Sequence, residues 1–151
     1  MKDIESIKYI LNEQINGYSS LLEKLQKEKE CLINLKVDEI EDLSKEKDII
    51  ILKLRLLEEE RIRITERFKI ENNIGYDLSL QILSEVTGDD FFYKARLKLI
   101  SLCQGISELN EFNRILLDRS MNLIKNALNV LGVVGANMPL KNNSSLLSRE
   151  V

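Results

Sequence analysis

Residues 18–63 read YSSLLEKLQKEKECLINLKVDEIEDLSKEKDIIILKLRLLEEERIR, and this stretch decides the fold. Its leucines and isoleucines recur among many charged residues, which predicts two long helices separated by a short break at Asn34–Val37. Asp38 and Glu41 have the spacing of a capping box, in which each side chain binds a backbone N–H at a helix start. A connection this short joins antiparallel neighbours, so the stretch predicts a helical hairpin.

The composition predicts one all-α domain. The chain has 151 residues with one proline and six glycines, and 31% of its residues are charged while 44% are hydrophobic. This length suits a single domain, and the abundance of Leu, Ile, Glu and Lys is typical of long helices rather than of disorder. The net charge of −3 is close to balance, which argues against nucleic acid or an anionic membrane surface as the partner.

The residues that most chemistry requires are missing from the sequence. It contains no histidine, which removes the commonest general base and the commonest metal ligand. It also lacks the short motifs of zinc, phosphate, hydrolase and calcium sites. Gly88-Asp89-Asp90 resembles a metal-binding turn, but two acids at a predicted helix start are more typical of caps. We therefore expect no enzymatic activity, no metal site and no cofactor.

Cysteine usage and hydropathy predict a soluble cytoplasmic protein. Cys31 and Cys103 lie far apart in sequence on helical segments, which favours buried, reduced thiols over a disulfide. The start MKDIESIKYI lacks the apolar core of a signal peptide. The longest uncharged run, residues 126–140, is shorter than the roughly 20 residues of a membrane span.

The first helix is predicted from about Ile4 to Leu32. Gln14 and Glu28 interrupt its second apolar row, which favours a helical bundle over an extended two-stranded coiled coil. Gly17 weakens the helix and indicates either a bend or a close contact. The seven-residue repeat that predicts this helix consists of Ile4, Leu11, Tyr18, Leu25 and Leu32.

The second helix is predicted from about Glu39 to Ile70. Its apolar stripe is interrupted at Lys47 and Arg61. A charge in this place either fixes the register or lies at the edge of the core with a buried stem and a solvated head, and we favour the edge. The charged runs 45–47 and 58–60 are interpreted as a solvated face. The stripe consists of Ile40, Leu43, Ile50, Leu54, Leu57, Ile64 and Phe68.

The helical pattern then ends at residues 71–75. A short helix is predicted from about Leu78 to Val86, and Thr87-Gly88 ends it. Asp89 or Asp90 is expected to cap a last helix over residues 91–134, about 60 Å long at about 1.5 Å per residue. Two apolar rows run along this helix. The first row is Phe92, Ala95, Leu99, Leu102, Ile106, Leu109, Asn113, Leu116, Ser120, Leu123, Ala127 and Val130. The second row is Ile100, Cys103, Leu117, Ile124, Leu128 and Leu131.

The C-terminal third of the last helix is apolar on two faces, and it exposes more apolar surface than a soluble monomer usually tolerates. We expect the hairpin to cover one of the two rows as core and to leave the other free to bind a partner. Most of the candidate residues named below suit either a place in the bundle core or a partner contact. Residues 1–134 are predicted to form an antiparallel bundle of the three long helices with the short helix, and residues 135–151 a flexible tail that adds apolar contacts. The predicted partner-binding residues are Leu116, Leu117, Leu123, Ile124, Leu128, Leu131, Met138, Leu140, Leu146 and Leu147.

Two stretches resemble the FlgN-type flagellar export chaperones. Residues 21–61 are similar to a family pattern that consists of a leucine pair, a Glu-Lys-rich turn of helix, a short break and then an acid-capped helix. They read LLEKLQKEKECLINLKVDEIEDLSKEKDIIILKLRLLEEER. Residues 108–132, ELNEFNRILLDRSMNLIKNALNVLG, are similar to the family's last helix, where asparagines precede a leucine-rich run. The ending SSLLSREV also resembles the family's C-terminus.

The resemblance implies a helical cytosolic chaperone that binds hook-associated proteins through their C-terminal helical part before export. It also implies an export-gate component as a second partner, through a tyrosine soon after the last helix. Residues 132–141 contain no tyrosine, so the sequence does not support that contact. The alternative function is a structural oligomerisation or adaptor protein, in which a second copy buries the exposed row and no secretion role exists.

Overall fold

The computed structural model describes residues 2–132, and four helices form this part of the chain. They are α1 (Lys2–Ile33), α2 (Val37–Glu71), α3 (Leu80–Thr87) and α4 (Phe91–Val130). No strand occurs within these residues, so the predicted all-α class and the three long helices are confirmed. The predicted short helix is shifted by one or two residues, because Ser79 rather than an earlier residue caps it: the Ser79 hydroxyl accepts a hydrogen bond from the backbone N–H of Ile82 at 3.3 Å.

The hairpin turn is closed by the backbone of α1 rather than by a capping box. Leu35 has a φ of +54°, and the N–H of Lys36 donates to the carbonyl of Cys31 at 2.9 Å. This is the six-to-one bond of a Schellman motif, which satisfies a carbonyl at the end of a helix. The chain therefore re-enters the helical conformation at Val37, and no side chain caps α2. The predicted capping box was wrong, since Asp38 already lies in the first turn of α2.

The start of α4 is capped as predicted by one of its two acids. The Asp89 carboxylate accepts a hydrogen bond from the backbone N–H of Phe91 at 3.0 Å, whereas Asp90 makes no side-chain cap. Asp89 also pairs with Lys8 of α1. Gly88 ends α3 with a φ of +69°, a left-handed conformation that glycine adopts without steric cost. This short corner fastens the beginning of α4 to the beginning of α1.

Helix α4 runs parallel to α1, while α2 runs antiparallel to α1. The side chain of Leu22 packs over Gly105, and the ammonium of Lys29 lies 4.9 Å from the centre of the Phe112 ring. The contacting residue numbers therefore rise together along α1 and α4, as they do between parallel helices. Helix α1 packs on both α2 and α4, so it is the central helix of the bundle.

Two apolar clusters hold the helices together. The larger cluster joins the start of α1, the end of α2, α3 and the start of α4, and the smaller cluster lies in the middle of the hairpin. The α1 repeat is confirmed, because four of its five residues are buried and Tyr18 is half-buried. The larger cluster is Ile4, Ile7, Ile10, Leu11, Ile64, Phe68, Leu78, Leu83, Phe92 and Ala95. The smaller cluster is Leu21, Leu25 and Leu54.

Gly17 allows a close approach of α2, which is one of the two alternatives expected from the sequence. A Cβ added at Gly17 would lie 2.7 Å from Leu54 Cδ2, too close for an ordinary contact. At Gly105 an added Cβ would lie 3.4 Å from Leu22 Cδ1, which is an ordinary contact. The Leu54 side chain must therefore shift to admit a Cβ at position 17, whereas a Cβ at position 105 requires no such shift.

We expect Gly17→Ala to lower the free energy of unfolding by about 1 kcal/mol, because overpacking at Leu54 outweighs the helix propensity of alanine. Gly105→Ala is the matched control and is expected to raise the free energy of unfolding by up to about 1 kcal/mol. Denaturant unfolding followed by circular dichroism measures both values. Equal stabilisation by the two substitutions would show that α2 does not require glycine at position 17.

Candidate protein-binding surface

The second part of α4 extends beyond the helical hairpin. The buried residues of α4 are Phe92, Ala95, Asn110 and Asn113, and none of its residues after Asn113 is buried. Since Asn113 lies level with residues 25–28 of α1 and α1 ends at Ile33, α4 passes the hairpin turn at about residue 119. About 18 Å of helix then lies beyond the turn at about 1.5 Å per residue.

The structure places the six described residues of the predicted site on residues 116–131, which we call the distal segment. Leu123 and Leu131 are 70% and 75% exposed, Ile124 is 45% exposed, and Leu116, Leu117 and Leu128 are partly buried. The distal segment therefore presents large apolar side chains to solvent. Met138, Leu140, Leu146 and Leu147 lie outside the described residues, as does the predicted tail.

The predicted division of α4 into a covered row and a free row was wrong for the distal segment. Leu123, Ala127 and Val130 of the first row are exposed, and so are Ile124 and Leu131 of the second row, so neither row is covered there. The change from core to surface occurs along the helix, because the hairpin is too short to cover either row beyond it. Helical periodicity shows which residues share a face, but it does not show how far the neighbouring helix extends.

Three apolar residues at the hairpin turn add to the exposed apolar surface at this end of the molecule. Ile33, Leu35 and Val37 are all exposed, and the turn lies level with the start of the distal segment. None of the three was among the partner-binding residues predicted from the sequence. A usable signal was present, since turns are commonly built from Gly, Pro, Asn, Asp and Ser, whereas this turn carries three large apolar side chains.

A buried polar cluster anchors α4 just before the distal segment. Lys47 of α2 donates a hydrogen bond to the Glu28 carboxylate of α1, and both side chains are excluded from solvent. The Asn113 amide of α4 donates to Glu28 Oε1 at 3.0 Å and to the Leu25 carbonyl at 2.9 Å. The cluster Glu28–Lys47–Asn113 thus connects all three long helices at one level.

The position of Lys47 corrects the sequence-based interpretation of the charged interruptions. We expected its ammonium in water at the core edge, but Lys47 is fully buried. Burial lowers the pKa of the Lys47 ammonium, and the Glu28 carboxylate opposes this shift because it favours the charged form. Run 45–47 is therefore not a uniformly solvated face. Arg61 does lie at the edge, where it pairs with Glu58 at 2.6 Å.

The two cysteines are both free, but only one is buried as predicted. The Cys31 thiol donates to the Glu39 carboxylate at 3.3 Å, and burial together with this contact raises the pKa of the thiol. Cys103 is exposed in a groove of about 480 Å³ between α2 and α4. Tyr18 of α1, Leu54 of α2 and Ile106 of α4 also line this groove.

In residues 2–132, no group of three His, Cys, Asp or Glu side chains lies close enough to hold a metal ion. Many charged side chains on the surface form ion pairs with residues three or four positions away on the same helix, as Arg114 does with Glu111 and Asp118. Over the same residues, none of the helices is sufficiently long and apolar to span a bilayer.

Comparison with known proteins identifies the family of this chain. A search of curated proteins and a search of solved structures found no match. A family model described as FlgN protein matches residues 1–138, which include all four helices. The match covers the hairpin, the buried cluster and the distal segment together. The chain therefore belongs to the FlgN family of flagellar export chaperones.

Proposed function

We propose that this protein binds the C-terminal helical part of flagellar hook-associated proteins in the cytoplasm and keeps it soluble and competent for export. The observation that carries the proposal is the distal segment of α4, where apolar side chains extend beyond the hairpin into solvent. Membership of the FlgN family supports a flagellar protein as the partner. Apolar surface of this kind on a soluble chain is typical of a protein-interaction site.

The proposed binding mode is a partner helix packed along the distal segment. Leu116, Leu123 and Leu131 have spacings of seven and eight residues, so they lie along one side of α4, two turns apart, and can contact every second turn of a partner helix. Leu117, Ile124 and Leu128 widen this strip to one side. The complex would bury side chains that water now surrounds, which supplies the free energy of association.

We further propose that residues 1–134 act as the binding domain and that residues 135–151 form a tail whose Met138, Leu140, Leu146 and Leu147 add contacts to the same partner. The protein would act by association rather than by catalysis. The family to which the chain belongs is a chaperone family, which supports this proposal.

The test is complex formation between purified full-length chain and hook-associated proteins from the same cell. Light scattering coupled to size exclusion should show a complex with the intact partner and none with a partner lacking its C-terminal helical part. The chaperone should also suppress aggregation of the intact partner only. If the chain does not bind these partners and instead forms a tight dimer that buries its distal segment, the proposal is wrong. The alternative function, a structural oligomerisation protein, is then favoured.

A further inference from the structure

The outward side of α2 carries an apolar strip that no helix of the described chain covers. Ile49, Leu52 and Leu56 are all more than half exposed and follow each other at spacings of three and four residues. Leu54, which packs against α1, lies on the opposite side of α2, because residues two apart point about 200° apart around a helix. The strip therefore faces away from the bundle.

Charged residues continue this strip in both directions at the same spacing. Before the apolar centre come Asp38, Asp42 and Lys45, and after it come Glu60, Arg63 and Arg67. The signs along α2 are thus minus, minus, plus, three apolar residues, minus, plus, plus. Reversing the direction of the helix converts every charge in this series into its opposite. We call these nine residues the outer strip.

We propose that the outer strip binds a second copy of this chain, with the two α2 helices antiparallel and a twofold axis close to Leu52. In this arrangement Ile49 of each copy meets Leu56 of the other, and Lys45 meets Glu60. Asp42 and Asp38 then meet Arg63 and Arg67. A twofold contact uses the same surface on both copies, so a self-complementary series is what such a contact requires.

The charge series favours antiparallel over parallel pairing. Parallel helices would place Lys45 beside Lys45 and Arg63 beside Arg63, and like charges in contact oppose association. Antiparallel helices replace each of these contacts with an opposite pair. Arg63 already binds Glu60 of its own chain at 2.5 Å, and Arg67 binds Asp3 at 2.5 Å. The second copy adds an acid to each of these guanidinium groups, which retain donors for it.

The contact is modest in size, because three apolar residues form its centre. A specific dimer buries about 1,200 Å² or more in total, and a single helix pair lies near the lower end of that range. The dimer is therefore expected to dissociate on dilution in the micromolar range. The outer strip and the distal segment lie on different helices, so the dimer does not rest on the proposed function and leaves the distal segment of both copies accessible.

Sedimentation velocity of the full-length chain between about 1 and about 100 µM tests the proposal. The native chain should shift from monomer to dimer over this range. Leu52→Glu should weaken the dimer at least about tenfold, since it places two carboxylates at the twofold axis. The matched control is Ile62→Glu, because Ile62 is on the same helix and is 52% exposed against 53% for Leu52, but lies outside the strip. This control should dimerise as the native chain does.

Charge reversal tests the orientation of the two helices. Lys45→Glu alone and Glu60→Lys alone should each weaken self-association, because each creates two like-charged contacts in the dimer. An equimolar mixture of the two variants should dimerise again, since both contacts are then between opposite charges. A native chain that remains monomeric at about 100 µM overturns the proposal. A dimer that tolerates Leu52→Glu, or a mixture that fails to recover, overturns it as well.

Discussion

Lys47→Ala is expected to lower the free energy of unfolding by about 3–5 kcal/mol, the usual cost of removing one partner from a buried ion pair. The substitution leaves the Glu28 carboxylate in the interior without the ammonium that pairs with it, while the Asn113 amide still donates to it. It also leaves the space of a long side chain empty between α1 and α2. Denaturant unfolding followed by circular dichroism measures the loss.

Two further variants separate the buried charge from the general effect of losing a lysine. Lys53→Ala removes a lysine from the same helix, where it pairs with Glu13 at 3.2 Å on the surface, and should change stability by less than about 1 kcal/mol. The double variant Lys47→Met with Glu28→Gln removes both charges, keeps an acceptor for Asn113 and should recover most of the loss. A cost of less than about 1 kcal/mol for Lys47→Ala would mean that its ammonium lies in water.

Leu123→Glu combined with Ile124→Glu is expected to weaken binding of the hook-associated C-terminal segment at least about 100-fold. Each substitution places a carboxylate where the proposed complex buries an apolar side chain, and central contacts of this kind typically contribute about 2 kcal/mol or more each. Folding stability should change by no more than about 0.5 kcal/mol, since both side chains are exposed in the free chain. Isothermal titration calorimetry measures the affinity.

The matched control for this prediction lies at the other end of the same helix. Leu97 is 47% exposed against 45% for Ile124, and it precedes the buried cluster. Leu97→Glu should therefore leave the affinity unchanged. Retention of native affinity by the double variant, or an equal loss with Leu97→Glu, would place the partner on another surface.

The buried cluster and the distal segment are adjacent along α4. Asn113 fixes the axial position of α4 relative to the hairpin, because its amide donates hydrogen bonds to the Leu25 carbonyl and the Glu28 carboxylate. The length of α4 that extends beyond Ile33 depends on this register. Polar contacts within a core restrict the register more strongly than apolar contacts, because a slipped arrangement leaves a buried charge without its partner.

Several features of the fold could be predicted from local pattern because they depend on local chemistry. The break after Ile33, the stop at Gly88 and the cap at Asp89 each involve residues close in sequence. The capping box at Asp38 was wrong for a reason that the pattern does not contain. Leu35 adopts a left-handed conformation usually taken by glycine, so the turn closes on the α1 backbone and α2 begins one residue before the proposed cap.

Sequence alone determined the all-α class, the number of long helices and the faces on which their apolar residues lie, since helical periodicity encodes all three. Tertiary structure decided that Lys47 is buried, because its burial depends on Glu28 and Asn113 of two other helices at the same level. It also decided which part of α4 is core. That boundary depends on the parallel register of α1 and α4 and on the end of α1 at Ile33, and neither can be read from the residues of α4 themselves.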